Sequence, residues 1–217
     1  MSLKVLQYIF LDFDETMFKH RSFIDWVDDY LHSAGYLNKG KGSFKAKMDN
    51  YHDIISEIPL LRLYKHEEHL RDTTNQTWFK VAKELQEQVD SQKLDFCYPD
   101  THELLKWLKS QPQDLRILTF GSDEYQRFKI DTCHCMKENH IPIHVVAESK
   151  ADFLAKHFGK GRGVLVDDKY PLKLPKNWHH IWIDRKAGLD KPLKMSDRET
   201  KISRLDQVEE VLGMTLN

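Results

Sequence analysis

Two carboxylates stand two residues apart in Asp12-Phe13-Asp14-Glu15-Thr16, directly after the apolar run Tyr8-Ile9-Phe10-Leu11. Such a run reads as a buried parallel strand, covered on both faces. Open α/β sheets place their ligands outside the carboxyl ends of those strands. Carboxylates this close stay ionised together cheaply only around a cation, or one of them serves as an acid. The plainer alternative is that Asp14 or Thr16 caps the next helix. Three further stations favour chemistry, because each puts a reactive group where an apolar run stops. Leu115-Arg116-Ile117-Leu118 leads into Thr119-Phe120-Gly121-Ser122, and residues 141–147 lead into Glu148-Ser149-Lys150. Val164-Leu165-Val166 leads into Asp167-Asp168.

Acidic pair, hydroxyl, lysine and second acidic pair, in that order, resemble the four signature motifs of the haloacid dehalogenase superfamily. Ile181-Trp182-Ile183-Asp184-Arg185 is similar to its fifth strand, and residues 202–212 to its closing helix. The resemblance spans about residues 5–17 and 97–213. It implies an α/β fold, a Rossmann-like parallel sheet flanked by helices. It also implies a role for each station. Asp12 would be the nucleophile that attacks phosphorus and carries an aspartyl phosphate. Asp14 would protonate the leaving oxygen and then deprotonate the attacking water. Thr119 Oγ and the backbone N–H of Phe120 would hold phosphate oxygens, and Lys150 would offset the gathered negative charge. Mg²⁺ would sit on the Asp12 carboxylate, the Asp14 backbone carbonyl and Asp168, with Asp167 behind it or acting through water. Members that displace halide lack the second aspartate as a class, so Asp14 speaks against dehalogenation. Glu15 departs from the glycine commonest at its position. The interval from Lys150 to Asp168 is short, yet holds a helix of about two turns and a strand.

Composition narrows the classes. At 217 residues the chain can hold one α/β core and a modest second lobe. Lys and Arg number 33 against 34 acidic residues, a net charge of −1, so no global field points to nucleic acid or an anionic membrane. A mean hydropathy of −0.62, with no apolar stretch near the ~20 residues that span a bilayer, excludes a transmembrane helix. A strand opening almost at once leaves no room for a signal peptide. Cys97, Cys133 and Cys135 are too few and too clustered for a disulfide framework, so the expected location is cytoplasmic.

Residues 18–96 differ in texture from the rest. Phe23, Trp26, Val27, Tyr30 and Leu31 form a helical stripe, residues 37–47 read as a loop, and residues 44–58 and 78–89 read as further helices. The superfamily places one type of all-helical cap at this point. The expected division is therefore a catalytic core of residues 1–17 and 97–217 with a helical cap of residues 18–96. After Pro99 the α/β alternation resumes, with helices over 101–110 and 122–139, the first capped by Asp100 or Thr101. Between Thr119 and Lys150 there is room for one helix and one strand only.

Several motifs attract other readings. His66-Glu67-Glu68-His69 is one residue short of the zinc-protease spacing and has no evident third ligand, so a solvated helix face is simpler. Cys133 and Cys135 lie two apart in a predicted helix, where side chains diverge, which makes structural or incidental cysteines the better reading. Gly159-Lys160-Gly161-Arg162-Gly163 precedes a strand rather than a helix and reads as a turn. Lys39, Lys41, Lys45 and Lys47 read as a solvated loop, with contact to a substrate's distal phosphate as the alternative. The expectation is a Mg²⁺-dependent phosphatase acting on a small phosphorylated metabolite, with no nucleic-acid or membrane partner. The alternatives are a phosphotransferase or mutase of the same superfamily, or a catalytically idle binding protein.

Overall fold

The structure, a computed structural model, describes residues 6–35 and 75–214. Its elements run β1 (Tyr8–Leu11), α1 (His20–Ser33), α2 (Asn75–Gln92), α3 (Pro99–Lys109), β2 (Asp114–Phe120), α4 (Asp123–Asp131) and α5 (His134–Asn139). Then follow β3 (Ile143–Val146), α6 (Lys150–Phe158), β4 (Gly163–Asp167), β5 (Trp178–Ile183), β6 (Leu193–Ser196), β7 (Glu199–Ile202) and α7 (Gln207–Met214). The strands form one sheet in the order β3-β2-β1-β4-β5-β7-β6. Every pairing is parallel except β6 on β7. The chain leaves β1 toward β2 and β3, then returns to β4 on the other side. β1 and β4 therefore flank the switch point where such sheets bind ligands.

Alternation along the strands divides the core between two faces. Ile9, Leu11, Ile117, Val164, Val166, Ile181 and Ile183 point to one face and pack with α1, α2, α3, α4, α5 and α7. Phe10, Leu118, Leu165 and Trp178 point to the other and meet Leu154, Phe153 and Phe158 of α6. β1 and β4 are buried on both faces, as their unbroken apolar runs require.

The stripe read on α1 holds: Phe23, Ile24, Val27 and Leu31 are buried, with Trp26 and Tyr30 partly so. Val81, Leu85 and Val89 of α2 join the same cluster. The two chain segments that lead into and out of the 18–96 insert lie side by side. Phe18 bridges Cys97, Lys19 N–H donates to the Phe96 carbonyl at 2.7 Å, and Tyr98 N–H donates to the Met17 carbonyl at 2.9 Å. Lys39, Lys41, Lys45, Lys47, His66 and His69 lie outside the described residues.

Three local readings are corrected. Residues 122–139 form two helices, α4 and α5, so two helices rather than one precede β3. Thr132 ends α4, its Oγ1 donating to the Lys129 carbonyl at 2.7 Å, and Cys133 starts α5. Ile202 belongs to β7 rather than to the last helix, which starts at Gln207. Asp100 does not cap α3, whose N-cap is Tyr98 with Pro99 in the first turn. The antiparallel edge β6 was not anticipated. Its residues are exposed and lysine-bearing, without the buried pattern that signals a strand.

Candidate active site

Sheet register assembles the four stations. Leu11 is level with Ile117 of β2 and Val166 of β4, so Asp12, Thr119 and Asp167 emerge together at the carboxyl edge. Asp12 is buried at 3% exposure, its N–H held by the Val166 carbonyl at 2.9 Å. Its Oδ1 accepts the Phe13 N–H at 2.7 Å and meets Lys150 Nζ at 2.5 Å. Lys150 Nζ reaches Asp167 Oδ2 at 2.6 Å as well, bridging the first and fourth stations. Lys150 opens α6, and Ser149 caps that helix by accepting the Asp152 N–H at 3.1 Å.

The electrostatics follow from this crowding. Burial pushes the Asp12 carboxyl well above the usual carboxylate range; Lys150 opposes the shift, and Asp167 and Asp168 add to it. Burial would lower Lys150, yet Asp12 and Asp167 more than offset it and hold the ammonium charged. Oxygens of Asp12, Asp167 and Asp168 lie within 4.8 Å of one another. Three hard carboxylates converging at strand ends fit a Mg²⁺ ion, which prefers oxygen donors. Asp167 is already engaged by Lys150 and by the Lys169 N–H at 2.7 Å. Asp168 meets Lys169 Nζ only at 3.6 Å.

Thr119 is buried at 1% exposure, and its Oγ1 has no hydrogen-bond partner among the described residues. A buried hydroxyl is rarely left so, since the loss of hydration goes uncompensated. An oxyanion is the partner such a hydroxyl suits. Gly121 turns the chain just beyond with φ +144°, a conformation side chains rarely adopt. Phe120, between them, is exposed.

Asp14 is held differently from Asp12. Lys129 Nζ contacts both its carboxylate oxygens, at 2.6 and 2.5 Å, and Gln126 Nε2 donates to Oδ2 at 3.0 Å. Burial alone would raise Asp14, but Lys129, with His20 and the Gln126 bond, holds it well below the usual range. Lys129 is itself wholly buried and lies 4.6 Å from the Tyr125 ring centroid. Sequence reasoning missed Lys129 and Gln126. Their spacing of three on one helix face, just after the hydroxyl station, was the available signal.

Arg185 was missed as a clamp. Its guanidinium donates to the Glu15 carbonyl at 3.3 Å and the Thr16 carbonyl at 2.5 Å, and pairs with Asp100 at 3.1 Å. It also stacks 3.5 Å from the Tyr98 ring centroid. Glu15 has φ 55°, the left-handed conformation that explains why glycine suits its place. Its carboxylate accepts the Arg21 N–H and the Tyr98 hydroxyl, both at 3.0 Å, which offsets the strain.

This architecture is that of known proteins. A haloacid dehalogenase-like hydrolase of Burkholderia xenovorans superposes with a TM-score of 0.63 at 16% identity, covering 98% of this chain and 99% of that one. The HAD-hydrolase YfnB of Bacillus subtilis, bound to magnesium, gives 0.51 at 14% identity over 95% and 98%. CbbY of Rhodobacter sphaeroides in complex with phosphate gives 0.56 at 12% identity over 94% and 96%. No family model and no curated protein matches the chain by sequence. The chain has the haloacid dehalogenase-like fold, as the four motifs implied.

Proposed function

We propose that the protein is a Mg²⁺-dependent phosphatase of the haloacid dehalogenase superfamily, acting on a small phosphorylated molecule through an aspartyl phosphate on Asp12. The observation that carries this reading is the buried Thr119 hydroxyl, without a hydrogen-bond partner among the described residues, beside the Asp12–Lys150–Asp167 cluster. One side supplies a nucleophile and cation, the other an anion ligand. Asp12, Asp168 and the Asp14 carbonyl would hold Mg²⁺, with Asp167 oriented behind them. The ion, when bound, neutralises phosphoryl oxygens and the charge between the carboxylates.

An Asp12 oxygen attacks phosphorus as the ester P–O bond breaks, and the leaving oxygen takes a proton from Asp14. Water then attacks the aspartyl phosphate, gives a proton back to Asp14, and the Asp12–P bond breaks. Thr119 and the Phe120 N–H orient the transferred group, and Lys150 balances its charge. Asp14 is ionised while Lys129 holds it, so donation requires its side chain to turn from Lys129 toward substrate and to take up a proton from solvent as it leaves that pair; the proton returned by the attacking water then restores it for the next cycle. Residues 18–96 would form a helical cap hinged at the paired crossings near residues 17–20 and 95–99, and its closure would exclude water and drive that turn. CbbY has also been seen with xylulose-(1,5)bisphosphate, which supports a small phosphorylated substrate. The same residues would serve a phosphotransferase, which differs only in the accepting hydroxyl. An idle site would have no use for the whole assembled set. A cytoplasmic location is supported by three cysteines that are all free thiols; no helix among the described residues is long and apolar enough to cross a membrane.

Hydrolysis of an aryl phosphate by the full chain, with Mg²⁺ and with chelator, tests the reading. Turnover should require the ion and fall by on the order of a thousandfold or more in Asp12→Asn without loss of folded structure. Activity retained in a folded Asp12→Asn protein would sink it. A panel of phosphorylated metabolites would then name the substrate.

A further inference from the structure

All three cysteines of the chain meet at one point, although Cys97 lies far from the other two in sequence. Cys97 lies on the segment returning from the insert, Cys133 at the break between α4 and α5, and Cys135 in the first turn of α5. The three are free and buried, and their sulfurs lie within 4.8 Å of one another, with Cys133 and Cys135 only 3.1 Å apart. The helix break makes this possible. In a continuous helix residues two apart diverge, whereas Cys133 has extended backbone, which turns its sulfur toward that of Cys135.

A carboxylate and an imidazole stand beside one member of the trio, Cys97. The Asp95, Cys97 and His102 ligand atoms also lie within 4.8 Å of one another. Asp95 Oδ1 accepts the Cys97 N–H at 2.9 Å, and its Oδ2 is 2.9 Å from His102 Nε2. Simple apolar packing needs neither three convergent thiols nor a carboxylate–imidazole pair beside them.

We propose that Cys97, Cys133 and Cys135 form a structural zinc site, which Asp95, beside Cys97, closes by turning in as the fourth ligand. Tetrahedral ligands ~2.3 Å from zinc stand about 3.8 Å apart, a spacing that small side-chain rotations reach from the observed trio. Three thiolates select a soft or borderline ion over the Mg²⁺ expected at Asp12 and Asp168. His102 lies behind Asp95 and orients it, as outer partners of metal ligands do. Binding releases the thiol protons to solvent and oxidises nothing. Because the sulfurs are buried, the ion enters as the chain folds and staples the insert's return segment to the junction of α5 with α4, the helix that carries Gln126 and Lys129. The site is independent of the phosphate chemistry proposed above.

Elemental analysis of the full chain, expressed with added zinc and purified under reducing conditions without chelator, tests this. About one zinc per chain should survive gel filtration, and replacement by cobalt should give thiolate charge-transfer bands. Cys133→Ser and Cys135→Ser should each lower retained zinc at least tenfold, His102→Ala should weaken binding roughly ten- to a hundredfold, and the double variant His66→Ala/His69→Ala should keep the ion. Less than a tenth of an equivalent of zinc in the wild-type protein, with no thiolate band on cobalt titration, overturns the proposal, and neither measurement depends on a variant folding. So does zinc that follows His66 and His69 rather than the cysteines, or a Cys133–Cys135 disulfide in the reduced preparation.

Discussion

Asp14 and Lys129 make the residue-scale case, since their fates are unequal. Lys129 is wholly buried, while the Asp14 side chain is 24% exposed and keeps Gln126 as a second partner. Asp14→Asn leaves a buried ammonium without a counter-charge and should destabilise the protein by about 3–5 kcal/mol. Lys129→Met leaves a carboxylate that water can reach and should cost less, about 1–3 kcal/mol. Urea denaturation of both variants decides it; equal stability for Asp14→Asn and wild type would show that the pair is not formed in solution. A kinetic study of Asp14→Asn must therefore separate lost catalysis from lost fold.

Turns between elements aim the site. Gly121 joins β2 to α4, and a β-carbon there would stand 2.8 Å from Gln126 Nε2. Gln126 is the side chain that ties Asp14 to the Phe120 carbonyl, at 3.0 and 2.8 Å. Gly121→Ala thus forces an unfavoured φ and displaces that tie together, for a cost of about 1–3 kcal/mol. It should also lower turnover more than the stability loss explains, because Thr119 and Phe120 precede the bend. Comparing melting temperature with the rate of the proposed aryl phosphatase reaction checks both, and an unchanged rate would show that the turn does not position the proposed anion site.

At the scale of the molecule, the buried histidines of β5 link stability to pH. Burial, with His180 beside it, pulls His179 down to about 4, and its Nε2 lies 3.0 Å from Thr200 Oγ1. The fold holds it neutral while the unfolded chain takes up a proton near 6.5. Its contribution is therefore complete above about 6.5 and is lost as pH falls from there toward about 4. Between roughly pH 7.5 and pH 5 the loss should be about 2 kcal/mol. Denaturant midpoints at the two pH values measure it, and the dependence should shrink in His179→Gln. An identical slope in that variant would assign the acid sensitivity elsewhere.

What the chain declares by itself is local. Apolar runs that end in Asp12, Thr119, Lys150 and Asp167-Asp168 mark buried parallel strands, and reactive groups at their carboxyl ends need only the register of the sheet to meet. The stripe from Phe23 to Leu31 similarly states its helix through spacing alone. Partnerships across long separations were decided by tertiary structure. Lys129 meets Asp14 over 115 residues, and Arg185 reaches the Thr16 carbonyl over 169. Cys97 joins Cys133 and Cys135 only because α4 breaks where Thr132 turns its hydroxyl back on Lys129. Periodicity encodes which face of an element is apolar. It does not encode which distant polar group will fill the space that face encloses, because that choice is made by packing once the layers have closed.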